Sequence, residues 1–142
     1  MRHRRSKQAI NGKPDRARMM ARNLVTSLLL YESIRTTRNR ARAVQPVIDR
    51  LISSAKRMDA RNAIRAINSF VTDKNACKKI MEVYVERYKD RPSGFTRIVA
   101  AGARKGDGAE LVDLSFVDGA LSSSASAQGR PATPSRPSPC GT

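Results

Sequence analysis

The spacing of apolar positions divides the chain into a helical part and a shorter part rich in strand-forming residues. From residue 14 to residue 91 the apolar side chains recur every three or four positions, and from 95 to 117 they fall into two short runs around a glycine-rich loop. The first spacing is typical of amphipathic helices and the second of an antiparallel hairpin. The pattern therefore predicts about four helices followed by a hairpin.

Two long helices with clear apolar stripes are predicted first, separated by a short strand at residues 33–36. The first helix begins at Pro14 with Asp15 as its expected cap, and the second begins at Thr36 or Thr37. Pro46 predicts a kink in the second helix because its ring removes a backbone hydrogen bond. The stripe of the first helix is Ala17, Met20, Ala21, Leu24, Leu28 and Tyr31, and that of the second is Ala41, Val44, Ile48, Leu51, Ile52 and Ala55.

Two further helices are predicted to begin after the capping residues Asp59 and Asp73. Their inward-facing residues are expected to be Ala60, Ala63, Ile64 and Ile67 in the third helix, and Ala76, Cys77, Ile80, Tyr84 and Tyr88 in the fourth. The hairpin strands are expected at 95–101 and 111–117, with the loop 102–110 between them. Residues 1–13 are predicted to be a basic extension, 14–117 one domain, and 118–142 a disordered tail rich in Ser, Ala and Pro.

The charge changes the picture from a generic small domain to a binder of polyanions. Among 142 residues, Lys and Arg number 28 against 12 Asp and Glu, and twelve of the basic residues but only two of the acidic ones lie in residues 1–42. Such an excess attracts nucleic acid or an anionic membrane surface. An interfacial membrane helix would carry Trp or Phe against lysines, and tryptophan is absent. Nucleic acid is therefore favoured over membrane and over a merely solvated face.

Transport and catalysis find little support in the sequence. No apolar run approaches the roughly 20 residues that span a bilayer, and the N-terminus lacks a secretory signal, so a cytoplasmic location is expected. His3, Cys77 and Cys140 have no metal-ligand spacing. Ser53 and Lys56 match the S-x-x-K pattern of serine acylases, but that short match is weak and indicates helix surface. We expect no enzyme activity, cofactor, metal or small-molecule substrate.

The segment IRTTRNRARAVQP, residues 34–46, contains four arginines and no carboxylate. Arg38 and Arg42 are four positions apart and repel each other on a helix. The segment predicts that phosphate supplies the missing negative charge.

These residues carry a resemblance to a known family. The chain resembles bacterial large-subunit ribosomal protein seventeen in MRHR at its start and in RNLVTSLLLYESIRTTRNRARAVQPVIDRLISSAK. The signature residues of that family are matched by Ile34, Thr36, Thr37, Arg40, Ala41, Arg42, Asp49, Leu51, Ile52 and Lys56. Residues 91–98 and 106–117 resemble the family's C-terminal hairpin, so that the resemblance covers residues 1–117.

The resemblance implies an α+β fold: a two-layer α/β domain with about four helices on a small, mainly antiparallel sheet of one short strand plus the hairpin. It implies a structural constituent of the large ribosomal subunit that binds large-subunit ribosomal RNA near the outer opening of the peptide exit tunnel, beside ribosomal protein thirty-two. Charge and resemblance together give the expected RNA contacts: Arg2, His3, Arg4, Arg5, Lys7 and Lys13 in the extension; Arg16, Arg18, Arg22, Asn23, Thr36, Thr37, Arg38, Arg40 and Arg42 in the helical part; and Arg97, Arg104 and Lys105 on the hairpin.

Two other classes remain open on the residues alone. A nucleoid-type DNA-architectural protein could use the same basic surface, and so could a non-ribosomal RNA-binding regulator of translation. Co-migration with the large subunit distinguishes the ribosomal class from both.

Overall fold

The computed structural model describes residue 10 and residues 12–117, and it confirms helices packed on a small antiparallel sheet. The elements in chain order are α1 (Pro14–Tyr31), β1 (Ser33–Thr37), α2 (Arg38–Arg57), α3 (Ala60–Asn68), α4 (Lys74–Lys79), a π-helical turn (Ile80–Tyr84), α5 (Val85–Arg87), β2 (Thr96–Ala103) and β3 (Glu110–Phe116). Most of the expected basic extension and the expected disordered tail lie outside the described residues.

The strand order is β1-β3-β2, and both pairings are antiparallel. Val112 at the centre of β3 faces Thr36 on one side and Ala100 on the other. A bulge between Ala100 and Gly102 lets β2 continue to Ala103, with Gly102 at a φ of 107° that favours glycine. The connecting loop is therefore 104–109, shorter than the expected 102–110.

Helix α2 covers the inner face of the sheet, and its predicted stripe is confirmed at every position. All six of its predicted apolar residues are buried. The helix is tied to the start of β2 by two hydrogen bonds, from the Gln45 Nε2 to the Thr96 carbonyl (3.2 Å) and from the Phe95 N–H to the Asp49 Oδ1 (3.2 Å). Burial raises the pKa of Asp49. Helix α2 continues through Pro46, and the kink expected there stays a prediction.

Helix α1 buries a face slightly different from the expected one. Leu28 is buried as predicted, but Val25 and Leu29 complete its buried set, while Tyr31 is 75% exposed. The reason is the end of the helix: the following residue, Glu32, takes a left-handed conformation with φ of 65°, and the chain turns into β1 before Tyr31 reaches the core. Ala17, Met20, Ala21 and Leu24 are half-buried.

The helices begin close to the predicted residues, but most of the predicted capping hydrogen bonds are not formed. Helix α1 begins at Pro14 with Lys13 as its cap residue, so Asp15 lies inside the first turn. Thr37 and Asp59 occupy the cap positions of α2 and α3 without a side-chain bond. Asp73 is a full cap, accepting from the Asn75 N–H at 2.8 Å.

Helix α3 is short and contacts the core along a narrow face. Ala63 and Ile67 are buried, whereas Ala60 is exposed and Ile64 is 40% exposed. Two of its four expected inward residues are therefore on the surface. A helix of nine residues packed mainly against α2 buries only the positions one turn apart that face it.

A π-helical turn keeps the aromatic side of the fourth helix facing the core. Ile80, Tyr84 and Tyr88 follow one another at spacings of four, and in a regular α-helix such positions drift by about 40° per step. The wider π turn at Ile80–Tyr84 offsets this drift, and all three side chains are buried as predicted. Ala76 and Cys77 are buried too, and burial raises the pKa of Cys77.

Four aromatic rings form the centre of the core at the end of the sheet away from the hairpin loop. The Tyr84 and Phe116 ring centroids are 4.5 Å apart, and those of Tyr88 and Phe95 are 5.1 Å apart. The Tyr84 hydroxyl donates to the Leu29 carbonyl at 2.8 Å, so the ring also fixes the last turns of α1. Burial raises the pKa of Tyr84.

Glu32 joins the end of α1 to the fourth helix and the sheet. Its carboxylate lies 3.0 Å from the Lys79 Nζ and 3.3 Å from the Arg87 Nη1, and its carbonyl accepts from the Phe116 N–H at 3.1 Å. The bond from Lys79, and after it the one from Arg87, holds the pKa of Glu32 below its usual value although partial burial opposes this.

Replacing Glu32 with glutamine is expected to lower the free energy of unfolding by about 1 kcal/mol at neutral pH. A lowered folded-state pKa means that this stabilisation is complete above the ordinary carboxyl value of 4.5 and is lost as the pH falls through the folded-state value. Urea unfolding of both proteins across pH 3–7 measures it, with the exposed Glu86→Gln as control. If the difference in free energy of unfolding between the parent protein and Glu32→Gln does not change with pH, the Glu32 carboxylate does not stabilise the fold through its ion pairs.

Candidate nucleic-acid interface

The residues of α1 and its cap that are expected to contact RNA are exposed, with one exception. Lys13, Arg16, Arg18 and Asn23 are exposed. Arg22 is half-buried: its Nη2 donates to the Ser69 carbonyl at 3.1 Å, and its guanidinium carbon is 6.0 Å from the Phe70 ring centroid. Arg22, one of the expected RNA contacts, therefore packs on the end of α3 and is less accessible to a ligand than the exposed Arg18.

Replacing Arg22 with alanine is expected to lower the free energy of unfolding by about 1 kcal/mol, since both the carbonyl bond and the ring contact are lost. Arg18→Ala, one turn away and exposed, is the matched control and is expected to stay within about 0.5 kcal/mol of the parent protein. Urea unfolding monitored by circular dichroism compares them. Equal stabilities would contradict a structural role for Arg22.

The first turns of α2 present three arginines beside the hairpin. Arg38, Arg40 and Arg42 are exposed, and the Arg38 Nη1 donates to the Glu110 Oε2 at 2.8 Å. Hydrogen bonding and attraction from Arg38 hold the pKa of Glu110 below its usual value. The expectation that Arg38 lacks a counter-charge within the chain is wrong, because β3 brings Glu110 to it across 72 positions of sequence.

The two threonines before α2 are not equally placed for an external ligand. Thr36 is 7% exposed and pairs with Val112 on the inner face of the sheet, so a phosphate or ribose hydroxyl cannot readily reach its side chain. Thr37 is half-buried at the cap position of α2 and has no side-chain bond to the helix start.

The hairpin adds a mixed set of basic side chains. Arg97 on β2 and Lys105 in the loop are exposed. Arg104 is already engaged, since its Nε donates to the Asp107 Oδ1 at 2.9 Å and its Nη2 also bonds to that carboxylate. The paired guanidinium holds the pKa of Asp107 below its usual range. Arg104 is thus a partly neutralised cation.

Several exposed arginines of the described residues have no ion-pair partner. Within residues 12–117, no carboxylate pairs with Arg16, Arg18, Arg40, Arg42 or Arg97, whereas Arg35 pairs with Asp113 at 2.8 Å and Arg87 with Glu32. Unpaired guanidinium groups are suited to bidentate contact with phosphate. The expected contacts at Arg2, His3, Arg4, Arg5 and Lys7 lie outside the described residues.

The structure also exposes basic residues that the sequence reasoning missed. Arg61 and Arg65 are one turn apart on the outer side of α3, and that helix has no acidic residue in its first turn. The signal was present, because it is the same carboxylate-free spacing of four that singled out Arg38 and Arg42. The two arginines extend the basic surface beyond α1 and α2.

The weak acylase motif has a structural explanation. The Lys56 Nζ donates to the Tyr88 carbonyl at 2.7 Å and to the Arg91 carbonyl at 2.6 Å, which fixes the chain after α5.

Within the part of the chain described here, no group of His, Cys, Asp and Glu side chains could hold a metal ion. None of the described helices combines the length and the apolar character needed to cross a bilayer.

Comparison with known proteins identifies the family. The sequence profile described as ribosomal protein L17 matches residues 20–117. Large ribosomal subunit protein bL17 of Desulforudis audaxviator is 44% identical over 103 residues, which are 72% of this chain and 91% of the relative. The proteins of the same name from Clostridium acetobutylicum and Rickettsia typhi are 43% and 38% identical, over 75% and 83% of this chain and 93% and 85% of their own length. A basic, two-layer α+β domain that matches these relatives over most of its described length belongs to the ribosomal protein L17 family.

Proposed function

We propose that the chain is a structural constituent of the large ribosomal subunit, bound to the ribosome in the cytoplasm, and that it stabilises large-subunit ribosomal RNA without catalysing a reaction. The relatives are named as large-subunit proteins. The observation that supports RNA as the ligand is the set of exposed arginines without carboxylate partners on α1, α2 and β2. Phosphate oxygens would supply the charge that these side chains lack.

The proposed contacts are the exposed members of the expected set. They are Lys13, Arg16, Arg18 and Asn23 from α1, Arg40 and Arg42 from α2, and Arg97 and Lys105 from the hairpin, with the basic segment from Arg2 to Lys7 adding further phosphate contacts. Arg38 and Arg104 contribute less in this scheme because each already has a carboxylate partner. Helix surfaces that carry phosphate contacts fix the orientation of a protein on RNA and do not read its sequence.

Sucrose-gradient fractionation of a cell lysate tests this function. The chain is expected to sediment with the large subunit, to remain there after a moderate salt wash, and to be released by a high-salt wash that screens phosphate contacts. Recovery in the DNA-containing fractions would favour the DNA-architectural class. Recovery as free protein would favour a regulator of translation.

We further propose that the chain lies beside ribosomal protein thirty-two near the outer opening of the peptide exit tunnel, as the family resemblance implies. Lysine-directed cross-linking of intact large subunits, followed by mass spectrometry, tests this position. Cross-linked peptides joining this chain to protein thirty-two are expected. Cross-links confined to proteins remote from the tunnel opening would contradict it.

A further inference from the structure

A cleft of about 480 Å³ lies between the first turns of α2 and the hairpin end of the sheet. Arg38, Arg42 and Gln45 line its helical side, at positions that share one face of α2. Its size falls within the range of pockets that hold small ligands. No side chain of the described core fills it, although the sheet and α2 are in contact further along.

Apart from Glu110 at the start of β3, the sheet side of the cleft is apolar. Ala100 and Val112 face each other across β2 and β3, and Ile98 lies two positions before Ala100 on the same face. Val112 is 3% exposed, so the accessible apolar surface of the cleft is formed by Ile98 and Ala100 of β2, against which a planar ring can lie.

The polar groups around this surface include two acceptor oxygens. The Gln45 Nε2 donates to the Thr96 carbonyl, which leaves the Gln45 Oε1 as an acceptor without a partner among the described residues. The Glu110 Oε2 accepts from Arg38, and its second oxygen has no hydrogen bond within residues 12–117. Carboxylate and amide oxygens accept from the exocyclic amino group of a base such as cytosine.

The cleft also offers a position for a phosphate. Arg42 lines it and pairs with no described carboxylate, while the neighbouring Arg38 is held in place by Glu110. An apolar surface, acceptor oxygens and a guanidinium without an ion-pair partner could together contact the ring, the amino group and the phosphate of one unstacked nucleotide.

We propose that this cleft holds one unstacked nucleotide of the RNA with an amino-bearing base, cytidine in preference to uridine. The phosphate contacts Arg42, the base lies against Ile98 and Ala100, and its amino group donates to Glu110. The proposal deepens the function proposed above and rests on it. It adds a readout of base identity to an interface otherwise made of phosphate contacts.

Methyl-resolved NMR of the full chain tests the site with cytidine monophosphate and uridine monophosphate as probes. Cytidine monophosphate is expected to shift the Ile98, Ala100 and Val112 methyl signals and to bind about tenfold more tightly than uridine monophosphate, which presents a carbonyl instead of the amino group. Absence of shifts at these methyls, or equal binding of both nucleotides, overturns the proposal.

Two variants separate this site from general RNA binding. Ala100→Leu fills the cleft and is expected to weaken cytidine monophosphate binding at least tenfold, whereas Ala60→Leu, at an exposed position on α3 outside the cleft, leaves it unchanged. Glu110→Gln is expected to reduce the preference for cytidine over uridine to about one, because an amide both donates and accepts. A preference retained in Glu110→Gln together with unchanged binding in Ala100→Leu overturns the proposal.

Titration of the parent protein with large-subunit RNA distinguishes the two proposals. If salt-dependent RNA binding is present and the nucleotide leaves the cleft methyls unshifted, only the cleft assignment fails. If RNA binding itself is absent, the proposed function fails.

Discussion

Replacing Phe116 with alanine is expected to lower the free energy of unfolding by about 3–5 kcal/mol. The ring is 1% exposed, lies 4.5 Å from the Tyr84 ring centroid and 6.2 Å from that of Tyr88, and belongs to the middle strand of the sheet. Its removal leaves a cavity that neither tyrosine can fill, since each is held by neighbours of its own. The total free energy of unfolding of a small domain is only about 5–15 kcal/mol, so this variant would lose much of its stability.

Urea unfolding measures this change, and Tyr31→Ala is its matched control. That substitution also removes an aromatic ring, but from a side chain that is 75% exposed, and it is expected to change stability by less than about 0.5 kcal/mol. Comparable losses in the two variants would mean that the aromatic cluster is not the centre of the core.

Replacing Arg16, Arg18 and Arg40 together with glutamine is expected to weaken binding to large-subunit RNA by about 10²-fold at roughly 0.15 M salt. Each of these guanidinium groups is exposed and has no carboxylate partner in residues 12–117. Each lost phosphate contact should also reduce the slope of log K against log salt by about 1. Filter binding or anisotropy over a series of salt concentrations gives both quantities.

The control triple variant is Arg35→Gln, Arg38→Gln and Arg104→Gln. It removes the same number of positive charges, but from arginines paired with Asp113, Glu110 and Asp107. The long-range attraction falls equally in both variants, so only local phosphate contact can separate them. We expect less than about a tenfold loss in the control. Equal losses would show that net charge alone determines affinity.

The long helix α2 could be predicted almost completely from sequence because its pattern is redundant. Six apolar positions recur at helical spacing within a helix of 20 residues, and each is buried in the structure. The buried face of helix α1 was harder to predict, because its apolar residues cover a wider arc of the helix. The pattern also does not predict which residue of α1 is the last to contact the core. The left-handed Glu32 decides this, and the exposed Tyr31 is the result.

The parts of the candidate site that depend on distant residues could not be predicted. The bond from Arg38 to Glu110 and the bond from Arg22 to Ser69 join positions 72 and 47 apart in sequence. The spacing of four predicts the repulsion between Arg38 and Arg42. It cannot predict that β3 brings the Glu110 carboxylate to Arg38. The abundance of arginine was visible in the sequence, whereas which arginines stay unpaired depends on the tertiary structure.

The strand order has a consequence for the sequence of events in folding. Strand β3 is in the middle of the sheet, yet it is the last described element to be synthesised. Helices α1 to α5 can form and associate early, but β1 has no strand to pair with until residues 110–116 are available. A nascent chain that stops before Leu111 would therefore present the apolar underside of α2 and an open strand edge together, a combination that favours aggregation. Because Phe116 lies on this middle strand, the sheet cannot close without it, and the core is complete only when residues 110–116 have paired.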